Sequence, residues 1–306
     1  MTISNSAISG NWATATAPNG RFADSGGVLL EGGALAISSS SVTNNQAGVS
    51  ASMPSDVASG TVAGGAHAGG GVSAATISNT LISGNSVAMT NMIGDSSATS
   101  GGLHIDADPA DVTLSNDTIA NNHVSSQTLA GSTGNADGAS GAGEISGTFS
   151  NLRLTGNTVD VSAALGHASG EGGGSHFDGG TITNGVISDN HVHVSSPSGS
   201  VSVRGGGIDV AVALTLLNTT VSGNTVTAYG TSGSAFGGGL SDIAFADGPD
   251  GAPGGPLVLQ HSTVTGNTLS GGGITLQGGG LYVQDEPLTL TNSVIAHNLP
   301  DQCHGC

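Results

Sequence analysis

Leu214 to Asn224 reads LTLLNTTVSGN, and close copies of this segment recur along the chain, ending at Asn11, Asn45, Asn85, Asn122, Asn157, Asn190, Asn267 and Asn298. Aligned on the closing Asn, the residue eight positions earlier is apolar in every copy, from Ile3, Ile37 and Ile77 through Phe149 to Leu290. The residue three positions earlier is Ile, Val or Leu throughout, as in Ile8, Ile119, Leu154, Val221 and Ile295. Two inward side chains five residues apart break the period of two of one straight strand, so the chain turns between them. Asn occupies that turn in Asn5, Asn79, Asn116, Asn151, Asn184, Asn218 and Asn292, with Ser39 and His261 the exceptions. A third apolar position follows the closing Asn by two, in Val87, Val124, Val159, Val192, Val226 and Leu269.

Three short strands per repeat, separated by Asn turns, describe one coil, and stacked coils pair as parallel strands about 4.8 Å apart. The pattern therefore predicts an all-β fold, a right-handed parallel β-helix (solenoid) of about 8–9 coils and roughly 40 Å long. Asn tolerates left-handed φ, and its amide can bond the same amide one coil above and below. That gives Asn85, Asn122, Asn157, Asn190, Asn224 and Asn267 a structural role. Glycine clusters close each turn, among them Gly172 to Gly174, Gly205 to Gly207 and Gly237 to Gly239. Positive φ and close backbone approach are expected there. Closing Asn residues lie 34, 40, 37, 35, 33, 34, 43 and 31 positions apart, more than the roughly 20–25 residues that three strands and their turns require. The surplus falls between the third apolar position and the next glycine cluster. It is expected to loop out along one edge, the binding edge of the solenoid.

The step GGGI or GGGL followed by an LTNSxVSGN-like segment resembles the bacterial right-handed parallel β-helix repeat proteins of the cell surface, including those with a CSLREA-type amino terminus. It is similar, more loosely, to the GGAI and FxxN repeats of chlamydial polymorphic outer-membrane proteins, with Ile, Val or Leu here where Phe stands there. The resemblance spans nearly the whole chain and implies a surface-displayed solenoid.

An uninterrupted repeat over 306 residues points to one elongated domain, 1–300, with a short tail at 301–306. Three basic residues, Arg21, Arg153 and Arg204, stand against 21 acidic ones, for a net charge of −18. That balance excludes nucleic acid and anionic membranes as partners and favours neutral glycans, proteins or cations. No apolar run approaches the roughly 20 residues of a membrane span, so no membrane insertion is expected. Met1 lies inside the first repeat and no signal peptide opens the chain. It reads as a segment of a longer polypeptide, extracellular or displayed on the cell surface.

The segment Ser241 to Pro256 holds Asp242, Asp247 and Asp250 among glycines, carboxylates that can converge on calcium, the one cofactor the sequence offers. Asp106, Asp108 and Asp111 after His104 form a weaker cluster of the same kind. His191 and His193 flank Val192, so both imidazoles lie on one outward strand face, a partial zinc or copper site without an evident third ligand. Cys303 and Cys306 in CHGC supply at most half of a zinc site, and a frayed terminus or a disulfide accounts for them better. Asp178, Asp209 and Asp242 lie near equivalent places in successive coils, the one feature that favours a polysaccharide lyase or glycoside hydrolase. No nucleophile triad, phosphate loop or aromatic sugar platform accompanies them, so no catalytic residue is assigned. The sequence reads best as a non-catalytic structural or adhesive module that binds glycan or a surface protein through its loop edge.

Overall fold

The computed structural model describes residues 1–16, 23–52, 63–243, 255–284 and 286–306, with 58–60 placed as a strand by their backbone. The chain is an all-β parallel solenoid of about 8 turns. Three parallel sheets run along it, and the smallest is a single stack of 9 strands. Among the described residues the one helical element is a 3-10 turn at Pro109–Asp111. Register follows the repeat: Ile82, Ile119, Leu154, Ile187 and Val221 pair in succession. So do Ile77, Leu114, Phe149, Ile182 and Leu216. Both rows are buried and fill one core along the axis.

The corners between strands follow from backbone preference. Every residue six before a closing Asn has positive φ, including the two exceptions Ser39 (46°) and His261 (52°). The residue just before each closing Asn is a second left-handed corner, filled by Gly in Gly156 and Gly223 and by Asn, Asp or His in Asn121, Asp189 and His297. These are the residue types that reach αL at least cost.

Between those corners and the glycine clusters lies a neck stitched by amides. The Asn190 backbone N–H and Nδ2 donate to Asn224 Oδ1 at 3.1 and 2.9 Å, and Nδ2 also donates to Leu154 O at 3.0 Å. The same pattern repeats at Asn85, Asn122, Asn157, Asn224 and Asn267. At the far end Gln302 Oε1 takes the place of a next Asn, accepting from Asn298 N and Nδ2 at 3.0 and 3.3 Å. The glycines pack directly on this ladder. A Cβ at Gly207 would lie 2.9 Å from Asn224 Nδ2, and one at Gly239 the same distance from Asn267 Nδ2.

Among the described residues the surplus after the closing Asn does not loop out. After the closing Asn the chain runs outward as a strand, turns, and returns as a second strand, as in Thr158–Ser162 and Ala168–Glu171. Outgoing strands pair with outgoing strands of the next coil and returning with returning. The two legs face each other over a second, narrow core of Val and Ala. The third apolar position, Val87 to Leu269, belongs to this core and not to the first. The legs approach so closely that a Cβ at Gly170 would meet Val194 Cγ2 at 2.4 Å, and one at Gly138 would meet Val161 Cγ2 at 2.6 Å. Gly, Ala and Ser here are thin-layer residues. Composition alone makes them look like loop.

One row inside the coil corner exchanges a hydroxyl for an acid. Ser40, Thr219, Ser262 and Ser293 each accept a backbone N–H from the coil before, at 3.0–3.1 Å. Asp117 does the same for Thr80 N–H at 2.8 Å, is 1% exposed, and leaves Oδ2 buried without a partner. Burial pushes its carboxyl up to about 6, against the pull of backbone bonds at Thr80 and Ser115. An acid whose folded pKa exceeds its unfolded value binds the proton more tightly when folded. Stability therefore falls as pH rises from about 4 to 6 and stays lower above. The penalty is about 3 kcal/mol at most. Asp117→Ser restores the neighbouring hydroxyl, so its gain over wild type is expected to be small at pH 4 and near that full value at pH 7.5. Urea melts of both proteins at the two pH values test this, and an equal gain at each would refute it.

Candidate functional site

Strands that follow the glycine clusters alternate core residue, outward residue, core residue, as in Leu103-His104-Ile105 and Ile208-Asp209-Val210. Register stacks the outward residues into one row: His67, His104, Glu144, His176, Asp209, Ser241, Tyr282 and His304. A second row, Ala139, Glu171, Arg204, Phe236 and Gln277, ends the returning strands just before the glycines. Gly172 and Gly205, with φ of 56° and 60°, make the bend between the rows. That bend folds the two rows toward each other into a polar seam parallel to the solenoid axis. Outward residues are consequently buried: Asp209 and Ser241 are 0% exposed and His104 7%.

The seam is densest at Glu171, His176 and Asp209, whose donor atoms all lie within 4.8 Å of one another. His176 Nδ1 is 3.0 Å from Asp209 Oδ2, and Nε2 is 3.4 Å from Asp178 Oδ1. Burial alone would depress the imidazole, but hydrogen bonds to Asp178 and Asp209 outweigh it and hold the pKa well above the ordinary histidine value. Burial, with the Asp209 charge, raises Glu171, and the Arg204 guanidinium 3.9 Å away works in the opposite direction. One coil back, His104 Nδ1 lies 3.4 Å from Glu144 Oε2. Burial alone would raise Glu144; the hydrogen bond from His104 and the charges of His104, His176 and His67 pull it below the usual carboxylate range. Beside this pair, His104, Asp106, Glu144, Ser146 and Asp178 border a cavity of about 310 Å³. Toward the far end Phe236 stacks on Tyr282 with centroids 4.2 Å apart, and Tyr282 on His304 at 5.2 Å.

The residues singled out in the sequence are distributed differently from the expectation. Asp178, Asp209 and Asp242 do not form a row. Asp209 pairs with Ser241, Asp242 pairs with Val210 and Val283, and Asp178 follows Phe177, itself opposite Val210. Two of the three still meet, because Asp178 and Asp209 flank the same imidazole. Asp242 is 1% exposed with Oδ2 unpartnered; burial, then the charges of Glu286 and Asp209, push its carboxyl up to about 7. Its companions in the calcium expectation, Asp247 and Asp250, lie outside the described residues. Asp108 caps the 3-10 turn by accepting from Ala110 N–H at 2.9 Å, while Asp106 faces the cavity. His191 Nδ1 is 2.6 Å from Thr225 Oγ1 on the outer face. Cys303 and Cys306 are bonded to each other as a disulfide.

Neither Glu171 nor His176 was singled out from the sequence. The signal was present just beyond the last glycine of successive clusters, at two residues for His67, His104, His176 and Asp209 and at one for Glu144. It is visible only when the repeats are aligned on the glycines instead of on the closing Asn.

No protein-family model and no curated protein matches the chain. Among solved structures, the crystal structure of a TibC-catalysed, hyper-glycosylated TibA fragment is 18% identical over 96% of this chain and 98% of that chain. Its TM-score is 0.13, from which nothing about this chain follows.

Proposed function

We propose that this chain is a stiff, non-catalytic module of an extracellular or cell-surface protein, and that it binds a neutral glycan or another protein along the rim of its second core. The observation that carries the binding role is the rim itself. At or beside the turns between outgoing and returning strands Met92, Ile93, Leu165 and Tyr229 are 45–51% exposed, in alternate coils. Exposed apolar groups that recur along one edge of a rod suit a long footprint built from weak contacts. Stiffness follows from the unbroken amide ladder between Asn11 and Gln302. The charge of −18 favours a neutral partner over an anionic one.

A lyase or hydrolase is the competing reading, and burial weighs against it. A nucleophile or base must touch a polymer, whereas Asp209 is 0% and Asp242 1% exposed, which leaves Asp178 the one open carboxylate of the three. Screening the protein against neutral and uronate polysaccharides, and against surface proteins, decides between the two. Saturable binding weakened by Leu165→Ser and Tyr229→Ser, without new reducing ends or unsaturated products, is expected. Turnover abolished by Asp178→Asn or Asp209→Asn would establish the enzyme instead.

A further inference from the structure

We infer that Glu171, His176 and Asp209 form a binding site for one divalent transition-metal ion of the zinc type. Three separate segments bring these donors together: the returning strand Ala168–Glu171, the strand Ser175–Thr183 after the bend, and Ile208–Val210 of the next coil. Their donor atoms lie within 4.8 Å of one another, and among the described residues no other trio of His, Cys, Asp and Glu does so.

An acidic cluster alone would mean little, but the Asp209 carboxylate is wholly buried and its Oδ1 has no hydrogen-bond partner. Ser241 Oγ, next in the same row, is also fully buried and unpartnered. Lone pairs closed off from water and left unbonded point to a cation that completes them. The ring arrangement fits. Asp209 lies on the Nδ1 side of His176, while Asp178 lies 3.4 Å from Nε2, the outer carboxylate that orients a ligating imidazole. An ion bound at Nδ1 replaces the ring proton there, which passes to water. Charge closes as well: the carboxylates of Glu171, Asp178 and Asp209 are balanced by Arg204 and one divalent ion. One imidazole among carboxylates selects zinc-type ions over calcium and magnesium, which take oxygen alone.

Metal-stripped full-length chain is dialysed to equilibrium against zinc chloride, with calcium chloride in parallel, and cobalt(II) absorption reports the ligand field. One zinc per chain is expected, with weak or no calcium uptake. Glu171→Gln and His176→Gln should each lower affinity by about 100-fold. The double variant His191→Gln/His193→Gln, on the outer strand face, should leave it unchanged. Glu171 is only half-buried and outside both cores, so its variant is expected to fold, as circular dichroism will verify, and it decides the case if His176→Gln does not. Absence of saturable zinc uptake, or uptake indifferent to Glu171→Gln, would overturn the assignment.

Discussion

Asn190→Ala is expected to destabilise the solenoid by about 4 kcal/mol, a large loss for one surface-sized side chain. The reason lies in how many neighbours depend on one amide. Asn190 Oδ1 accepts from the Asn157 backbone N–H at 3.0 Å and from Asn157 Nδ2 at 2.9 Å, while its own Nδ2 serves Leu154 O and Asn224 Oδ1. Removing it strands a buried N–H, half of an amide and a carbonyl, each worth about 1–3 kcal/mol when desolvated and unpaired. Asn190→Asp is expected to be worse at neutral pH. The carboxylate still accepts from Asn157 but sets oxygen against Leu154 O and Asn224 Oδ1. Asn11→Ala, at the exposed start of the ladder, removes one donor, Nδ2, which reaches only Asn45 Oδ1, and leaves the backbone N–H bonded to the same oxygen, so it should lose far less. Urea unfolding of the three variants measures the gradient. An Asn190→Ala protein within about 1 kcal/mol of wild type would mean that the ladder does not hold the coils together.

Strand register was legible because burial on a solenoid is periodic and strict: Ile119, Leu154 and Ile187 had to stack if they were to leave water at all. Left-handed corners were legible for the same kind of reason, since few residue types reach positive φ, and even Ser39 and His261 could be placed by position. The second core was not legible. Its walls are mostly Val on the outgoing leg and mostly Gly, Ala or Ser on the returning one, with Val201 and Val203 exceptions, and a thin layer needs small residues at the places where a loop would also use them. Only the pairing of Gly138 with Val161 and of Gly170 with Val194 reveals that these glycines face packed side chains instead of solvent.

The polar seam was half legible. Asp178 and Asp209 were recognised as carboxylates near each other, yet the residue that joins them, His176, is an ordinary outward histidine by strand alternation. Glu171 comes within 4.8 Å of it from across the glycine bend. That proximity depends on the angle between two strands, which no residue pattern encodes. Calcium ligation by Asp242 rested on glycine-rich context; register sets Asp242 opposite Val210, and its companions Asp247 and Asp250 lie outside the described residues.

Gly206→Ala and Gly10→Ala separate two reasons for glycine that sequence alone merges. Gly10 has φ +69° and nothing within 4 Å of a would-be Cβ, so alanine there meets only the left-handed backbone penalty of about 1 kcal/mol. Gly206 has no positive φ, yet its Cβ would stand 2.2 Å from Gly238 O and 3.1 Å from Thr225 C. Both neighbours are backbone, held by the bond from Gly206 N–H to Gly237 O at 2.9 Å and its counterparts along the row. No side chain can swing away, so the coils themselves must part, and the bonds from Gly205 and Gly207 to the next coil go with them. A loss of about 4 kcal/mol or more, or failure to fold, is expected for Gly206→Ala. If conformational freedom were the only reason for these clusters, alanine at Gly206 would be the milder change. Thermal melts of the two single variants therefore give opposite orders under the two accounts, and a Gly206→Ala protein as stable as Gly10→Ala would show that the coils have room that the backbone distances deny.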